Sequence, residues 1–192
     1  DMMKQLFSIE GKIAIVTGGS RGIGEMIARG FVENGAKTYI TARTEATCRA
    51  TAEALSHYGE CIAIPADLST LSGIKTFVQT FSEHEEKLDI LVNNAGISWH
   101  EPFEDFSECE WDNVMNINLK AAFFLTQRLL KELSKAATAD SPARVINIAS
   151  IGGMMVPGAE HYAYLTSKAG VIHLTRHLAM RLAGDNVTVN SI

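Results

Sequence analysis

Along the chain, short runs of apolar residues alternate with longer stretches in which apolar positions recur every three or four residues. The short runs are Lys12 to Thr17, Ala36 to Ala42, Cys61 to Pro65, Leu88 to Asn93, Arg144 to Ala149 and Val187 to Asn190. Most are apolar at nearly every position, as strands covered on both faces must be. Helical spacing runs through Ile23 to Glu33, Thr44 to His57, Leu71 to His84, Glu108 to Ser134 and Tyr162 to Leu182. Strand and helix in regular succession predict βαβ units. The expected fold is therefore α/β, a doubly wound parallel sheet of the Rossmann kind, read as one domain over residues 1–192. Local chemistry agrees with several boundaries: Asn34-Gly35 closes the first helix, Thr44 and Ser69 cap helix starts, and Ala139 to Pro142 forms a turn. There is no interdomain linker, fixed-period repeat or low-complexity tract.

Composition narrows the function classes. Apolar residues make up 46% and charged residues 20% of the 192, a globular balance. A formal net charge of -5 without any Lys/Arg cluster excludes a nucleic-acid partner, because affinity for polyphosphate rests on clustered cations. No apolar run approaches the roughly 18 residues of a membrane span, so no membrane partner is expected. The opening Asp1-Met2-Met3-Lys4 lacks the apolar stretch of a signal peptide, and Asp1 reads as an added residue. Cys48, Cys61 and Cys109 are widely spaced and form no CxxC pair, which fits reduced thiols in a cytoplasmic protein.

The chemistry begins at Thr17-Gly-Gly-Ser-Arg-Gly-Ile-Gly24, directly after the first strand and opening the first helix. Gly18, Gly22 and Gly24 stand where the backbone must turn tightly, and with Ser20, Arg21 and Ile23 they would present helix N-terminal N–H groups to a pyrophosphate. The spacing is TGxxxGxG rather than GxGxxG. At the end of the second strand, where an acid would bind the adenosine ribose, the chain reads Ile40-Thr41-Ala42-Arg43. Ala42 replaces the acid, and the Arg43 guanidinium, joined by Arg21, suits a 2′-phosphate; the expected cofactor is NADP(H). Either arginine could instead be a solvated surface side chain. Asp67, with Leu68 beside it, is a candidate acceptor for the adenine amino group or else a helix-start residue. Asn94, Ala95 and Gly96 end the fourth strand where a nicotinamide would lie, and Asn93 is equally a structural or a cofactor residue.

TGGSRGIG at 17–24, NNAG at 93–96, Asn118 in NINLK, Ser150 in VINIAS and YLTSK at 164–168 stand together in the order and at the intervals of the short-chain dehydrogenases/reductases, and the chain resembles that family over nearly its whole length. The resemblance implies Tyr164 as general acid/base, Lys168 as its pKa-lowering partner and ribose ligand, Ser150 as the hydroxyl that polarises a carbonyl, and Asn118 as anchor of a proton-relay water. The residue types make chemical sense. A tyrosine with an ordinary pKa of about 10 exchanges protons poorly at neutral pH unless a cation stands close, and Lys168 is four residues on, on the same helix face. Tyr162 competes by proximity, but the residue four beyond it is Thr166. Ser150 could be a plain turn residue, and Asn118 a satisfied structural one.

Met154, Met155, Val156 and Pro157, with Trp99 and His100 across the cleft, either line an apolar substrate pocket or merely pack a loop. His173 and His177 read as surface or interface residues, with no metal expected. Local likeness at Glu10 to Val16, Ala63 to Ser69 and His161 to Lys168 points toward bacterial 3-oxoacyl-acyl-carrier-protein reductases, including those of rhamnolipid synthesis. That implies a 3-oxoacyl thioester substrate and fatty acid metabolism. A sugar-acid or polyol dehydrogenase is the alternative, and a non-catalytic NADP(H)-binding sensor a third. Apolar residues on more than one face of the last two helical stretches, together with the resemblance, suggest a homotetramer. Relative to the family pattern, a Pro-Gly turn, a covering segment and a last strand are missing after Val187 to Ile192. A chain ending there is expected to have an incomplete site and an exposed, aggregation-prone sheet edge.

Overall fold

The computed structural model describes residues 7–192; the reading of Asp1 to Lys4 lies outside them. Six parallel strands form one sheet: β1 (Ile13–Thr17), β2 (Lys37–Thr41), β3 (Cys61–Ala63), β4 (Ile90–Asn93), β5 (Ala143–Asn147) and β6 (Val187–Ser191). Their spatial order is β3-β2-β1-β4-β5-β6, the doubly wound order in which the chain reverses direction across the sheet between β1 and β4. The helices are α1 (Gly22–Glu33), α2 (Glu45–Leu55), α3 (Leu71–His84), α4 (Glu108–Met115), α5 (Ala121–Arg128), α6 (Leu130–Ala136) and α7 (Tyr162–Leu182).

Strand alternation divides the core. Ile13 and Ile15 of β1 and Leu91 of β4 face a cluster with Phe77 and Phe81 of α3, Leu125 of α5 and Leu182 of α7. Ala14 and Val16 of β1, with Ile90 and Val92 of β4, face Ala28 and Val32 of α1 and Cys48, Ala52 and Leu55 of α2. Both faces are thus covered, which is why these strands read as continuous apolar runs.

Some boundaries differ from the expected ones. The stretch Glu108 to Ser134 is not one helix. A single π-type turn, Asn116–Lys120, follows α4, and Leu129, at φ -92° and ψ 4°, separates α5 from α6. The second break lets α6 meet the sheet differently: Leu129 and Leu133 are fully buried, and the Glu132 carbonyl accepts from Leu88 N at the entry to β4. Apolar periodicity survives a π-turn, so the pattern alone could not reveal the interruption. Thr70, not Ser69, caps α3, its hydroxyl accepting from Gly73 N at 2.9 Å. Thr44 holds the cap position of α2 without a side-chain cap bond. Gly35, at φ +81°, takes the left-handed position after α1.

Candidate active site

All the loops that follow the C-terminal ends of β1, β2, β3 and β4 converge on a cleft of about 690 Å³, large enough for a dinucleotide-sized ligand. Gly18, Ser20, Arg21, Gly22, Ile23 and Gly24 form one wall, and Arg43, Asp67 and Leu68 the end under β2 and β3. Asn94, Ala95 and Gly96 form the side next to β4. Thr41, Thr47, Ile97, Asn113 and Ile117 also line it and were not singled out in the sequence. Asn113 and Ile117 reach it from α4 and the π-turn, a distance in sequence that no local pattern bridges.

The glycine loop is built for close approach. Gly18 (φ +63°) and Gly22 (φ +56°) hold left-handed backbone that a side chain would strain. Gly24 is glycine for a different reason: a Cβ there would lie 2.2 Å from the Gly18 carbonyl oxygen, so the first turn of α1 is pressed against the loop. Arg21 occupies the cap position but makes no side-chain cap bond, leaving first-turn N–H groups of α1 free of a capping side chain beside the cleft. Such an N-terminus favours an anion, and a pyrophosphate fits it. Ala42 stands at the end of β2 where an acid would oppose a second phosphate, and Arg43 and Arg21 are exposed on the cleft wall.

Thr17, buried at the end of β1, ties the two halves of this cleft together, a role its sequence position did not announce. Its hydroxyl donates to Val92 O and accepts from Asn94 N at 3.0 Å and Ala95 N at 2.9 Å. The Asn94 amide donates to Thr17 O at 2.9 Å. Asp67 is in part a turn residue, for its Oδ1 accepts from Ser69 N at 3.0 Å and Ser69 Oγ at 2.6 Å. It nevertheless lines the cleft.

Beyond Gly96 the cleft wall leads to the second group of residues. Asn118, in the π-turn and 4% exposed, clamps the backbone of Ile97 in both directions: Oδ1 accepts from Ile97 N and Nδ2 donates to Ile97 O, each at 2.9 Å. Its other N–H donates to Ser167 Oγ at 3.0 Å. Both amide protons are spent, so a water at Asn118 could be held only by a remaining oxygen lone pair or the main-chain carbonyl. Next along α7, Lys168 Nζ donates to Ile148 O at 2.7 Å and lies 5.7 Å from the Tyr164 ring centroid. Burial pushes the Lys168 ammonium below the usual lysine range. Ser150 follows β5, its hydroxyl accepting from Gly152 N at 3.1 Å.

Tyr162 is drawn elsewhere. Its hydroxyl donates to Glu160 Oε1 at 2.9 Å, a carboxylate that raises its pKa, and its ring packs edge-on against Phe103 and Phe106. Met154, Met155 and Val156 are 75%, 56% and 90% exposed, so loop packing does not account for them. His161, at the cap of α7, donates from Nδ1 to Trp99 O at 3.0 Å and stacks edge-on with His100, joining the two sides of this mouth. His173 and His177 are exposed on α7.

Comparison with known proteins places this architecture. The family described as short chain dehydrogenase matches residues 12–192. A rhamnolipids biosynthesis 3-oxoacyl-[acyl-carrier-protein] reductase of Pseudomonas aeruginosa is 48% identical over 190 residues, covering 99% of this chain and 74% of the relative. A 2-dehydro-3-deoxy-D-gluconate 5-dehydrogenase of Dickeya dadantii is 36% identical over 196 residues, covering 100% and 74%. Among solved structures, the Pseudomonas aeruginosa RhlG/NADP active-site complex superposes with a TM-score of 0.94 at 48% identity, covering 96% of this chain and 72% of that one. A metagenomic short-chain oxidoreductase in complex with NADP gives a TM-score of 0.87 at 34% identity, covering 96% and 82%. With a parallel sheet in this order and a family match across nearly all of its length, the chain belongs to the short-chain dehydrogenases, a family of oxidoreductases.

Proposed function

We propose that this protein reduces the ketone of a 3-oxoacyl thioester with NADPH. The observation that carries the reading is the continuity of the site. One cleft runs from two exposed arginines with no acid at the end of β2 to Ile97, which Asn118 joins to the helix bearing Tyr164 and Lys168. The 48% identical relative named as a 3-oxoacyl reductase and the NADP complexes among similar structures support the substrate and the cofactor.

Bound NADPH supplies the hydride. In this reading the glycine loop and the N-terminus of α1 hold the pyrophosphate, Arg43 and Arg21 the 2′-phosphate, and Asp67 and Leu68 border the adenine. Asn94, Ala95 and Gly96 border the nicotinamide side. Ser150 donates a hydrogen bond to the carbonyl oxygen, Tyr164 delivers the proton to the forming alkoxide, and Lys168 favours the phenolate left behind while reaching the ribose. The exposed Met154, Met155 and Val156 face the acyl side of the mouth. Three unpaired cysteines fit a reducing cytoplasm, and exposed Trp111 and Met180 on α4 and α7 fit contacts of a homotetramer.

The test is NADPH oxidation with a short 3-oxoacyl thioester, run beside Tyr164→Phe. Turnover that falls about a thousandfold in the variant, with NADPH binding intact, is the expected outcome. The relatives named as 2-dehydro-3-deoxy-D-gluconate 5-dehydrogenases favour a sugar-acid ketone as the second reading. Turnover of a keto sugar acid and not of the thioester would establish it, and NADPH binding without turnover of either would mark a cofactor sensor.

A further inference from the structure

The proposed chemistry draws its groups from two separate elements: Tyr164 and Lys168 ride on α7, while Ser150 follows β5. Hydride and proton delivery to one carbonyl needs these elements held at a fixed axial position, and hydrogen bonds add to close packing a directional constraint that the apolar driving force lacks. Among the described residues, two side-chain hydrogen bonds join α7 to β5 and the residue after it. One is Lys168 to Ile148 O. The other lies two helical turns further on: Asn147 Nδ2 donates to Thr175 Oγ1 at 2.9 Å.

Both partners are buried, Asn147 at 1% and Thr175 at 5% exposure, and both are fixed from behind. Asn147 Oδ1 accepts from Asn93 Nδ2 at 2.9 Å, across from β4. The Thr175 hydroxyl donates to Val171 O at 2.7 Å, which leaves its lone pair aimed at the asparagine and fixes the polarity of the chain Asn93, Asn147, Thr175. An unmade bond here would strand a buried amide, so any slide of α7 along the sheet is opposed by a directional penalty. Asn147 sits three residues before Ser150 and directly before Ile148, whose carbonyl holds Lys168.

We propose that Asn147 and Thr175 form a latch that sets the axial register of α7 against β5, and that they are positioning residues for the reaction of Tyr164, Lys168 and Ser150. The catalytic meaning of the latch rests on the reductase reading; the register it sets does not. Thr175 touches neither the cleft nor the reacting groups, so its effect must travel through the position of α7.

Thr175→Val is nearly isosteric and removes the hydroxyl; Thr175→Ser keeps it. In steady-state kinetics well below Tm, the valine variant is expected to lose about tenfold in kcat, with a smaller rise in the Kd for NADPH because the phosphate loop is untouched, and with activity restored within about twofold by serine. In its crystal structure the Lys168 Nζ to Ile148 O distance is expected to open beyond about 3.5 Å, no longer a hydrogen bond. Thr175→Ala serves in the same two measurements if the valine variant does not fold. Full activity without the hydroxyl, a loss that serine does not restore, or an unmoved α7 would each overturn the latch. If the wild-type protein reduces none of the ketones offered, the functional reading fails, and the latch stands or falls on the crystallographic distance alone.

Discussion

Two lysines at opposite ends of the same sheet show how the molecule divides its work. Lys37 opens β2 at the N-terminal edge, where its ammonium meets Glu85 at 2.7 Å and Glu60 at 3.1 Å. The hydrogen bond that Lys37 donates to the Glu85 carboxylate holds its pKa above the usual lysine range, outweighing burial. Lys168, at the C-terminal edge, has a carbonyl for a partner, and burial holds its pKa below that range. One edge satisfies its charges internally; the other keeps a cation that the fold does not neutralise. Groups poised in this way cost stability and are available to a ligand.

The N-terminal edge repeats the lesson at two sites. Burial alone would raise the Glu85 pKa, but hydrogen bonds from Lys37 and from the Tyr39 hydroxyl, at 2.7 Å, hold it below the carboxylate range. Asp89 accepts from Ile13 N at 2.9 Å and from Lys12 Nζ at 3.3 Å, closing the start of β1 against β4. At the C-terminal edge stand the glycine loop and the start of α1, which line the cleft, and the segment after Ser150.

If this contrast holds, substitutions should separate activity from stability in opposite ways at the two edges. The largest effect is expected from Lys168→Met: carbonyl reduction falls about a thousandfold, while Tm measured by calorimetry stays level or rises, since a charge with a depressed pKa opposes folding. The same sign predicts that wild-type Lys168 lets stability grow as pH rises from its lowered pKa toward 10.5, because the unfolded chain holds the extra proton. A Tm drop in the methionine variant would show Lys168 to be a net support and break the comparison.

Next in size, Arg43→Ala should raise the KM for NADPH about tenfold to a hundredfold and leave that for NADH nearly unchanged, with no loss of Tm. Equal effects on both cofactors would remove Arg43 from 2′-phosphate recognition. At the other edge, Glu85→Gln should leave kcat intact and lower stability by about 1–2 kcal/mol in urea unfolding, a figure reduced for the partial exposure of Lys37. Its pH signature follows from a depressed carboxylate pKa: the contribution is complete above the ordinary value of 4.5 and fades as pH falls through the lower folded value. Glutamine should flatten that acid limb. The smallest effect belongs to Lys12→Met, under about 1 kcal/mol, because Lys12 is 30% exposed and its ion pair is long at 3.3 Å.

Much of the site could be read in the sequence because its chemistry is local. The turn from β1 into α1 needs glycines at fixed offsets, so the phosphate loop is written in eight consecutive residues, and Tyr164 and Lys168 share a helix face by spacing alone. The same spacing favours Tyr164 over Tyr162 as the candidate acid/base; where the Tyr162 hydroxyl goes, to Glu160, is a contact that spacing does not give. Reading failed where partners come from distant segments. Nothing near Thr17 predicts that it receives Asn94 and Ala95, and nothing near Asn118 predicts Ile97 and Ser167.

What the sequence determined by itself was therefore the succession of elements, the doubly covered sheet and the residue types at its C-terminal edge, since period, capping and turn chemistry act over a few neighbours. Tertiary structure alone decided where a long apolar stretch breaks at Asn116–Lys120 and Leu129, and which buried amides find each other, as Asn93, Asn147 and Thr175 do. Those outcomes depend on directional bonds between groups that the chain brings together only when it closes the sheet.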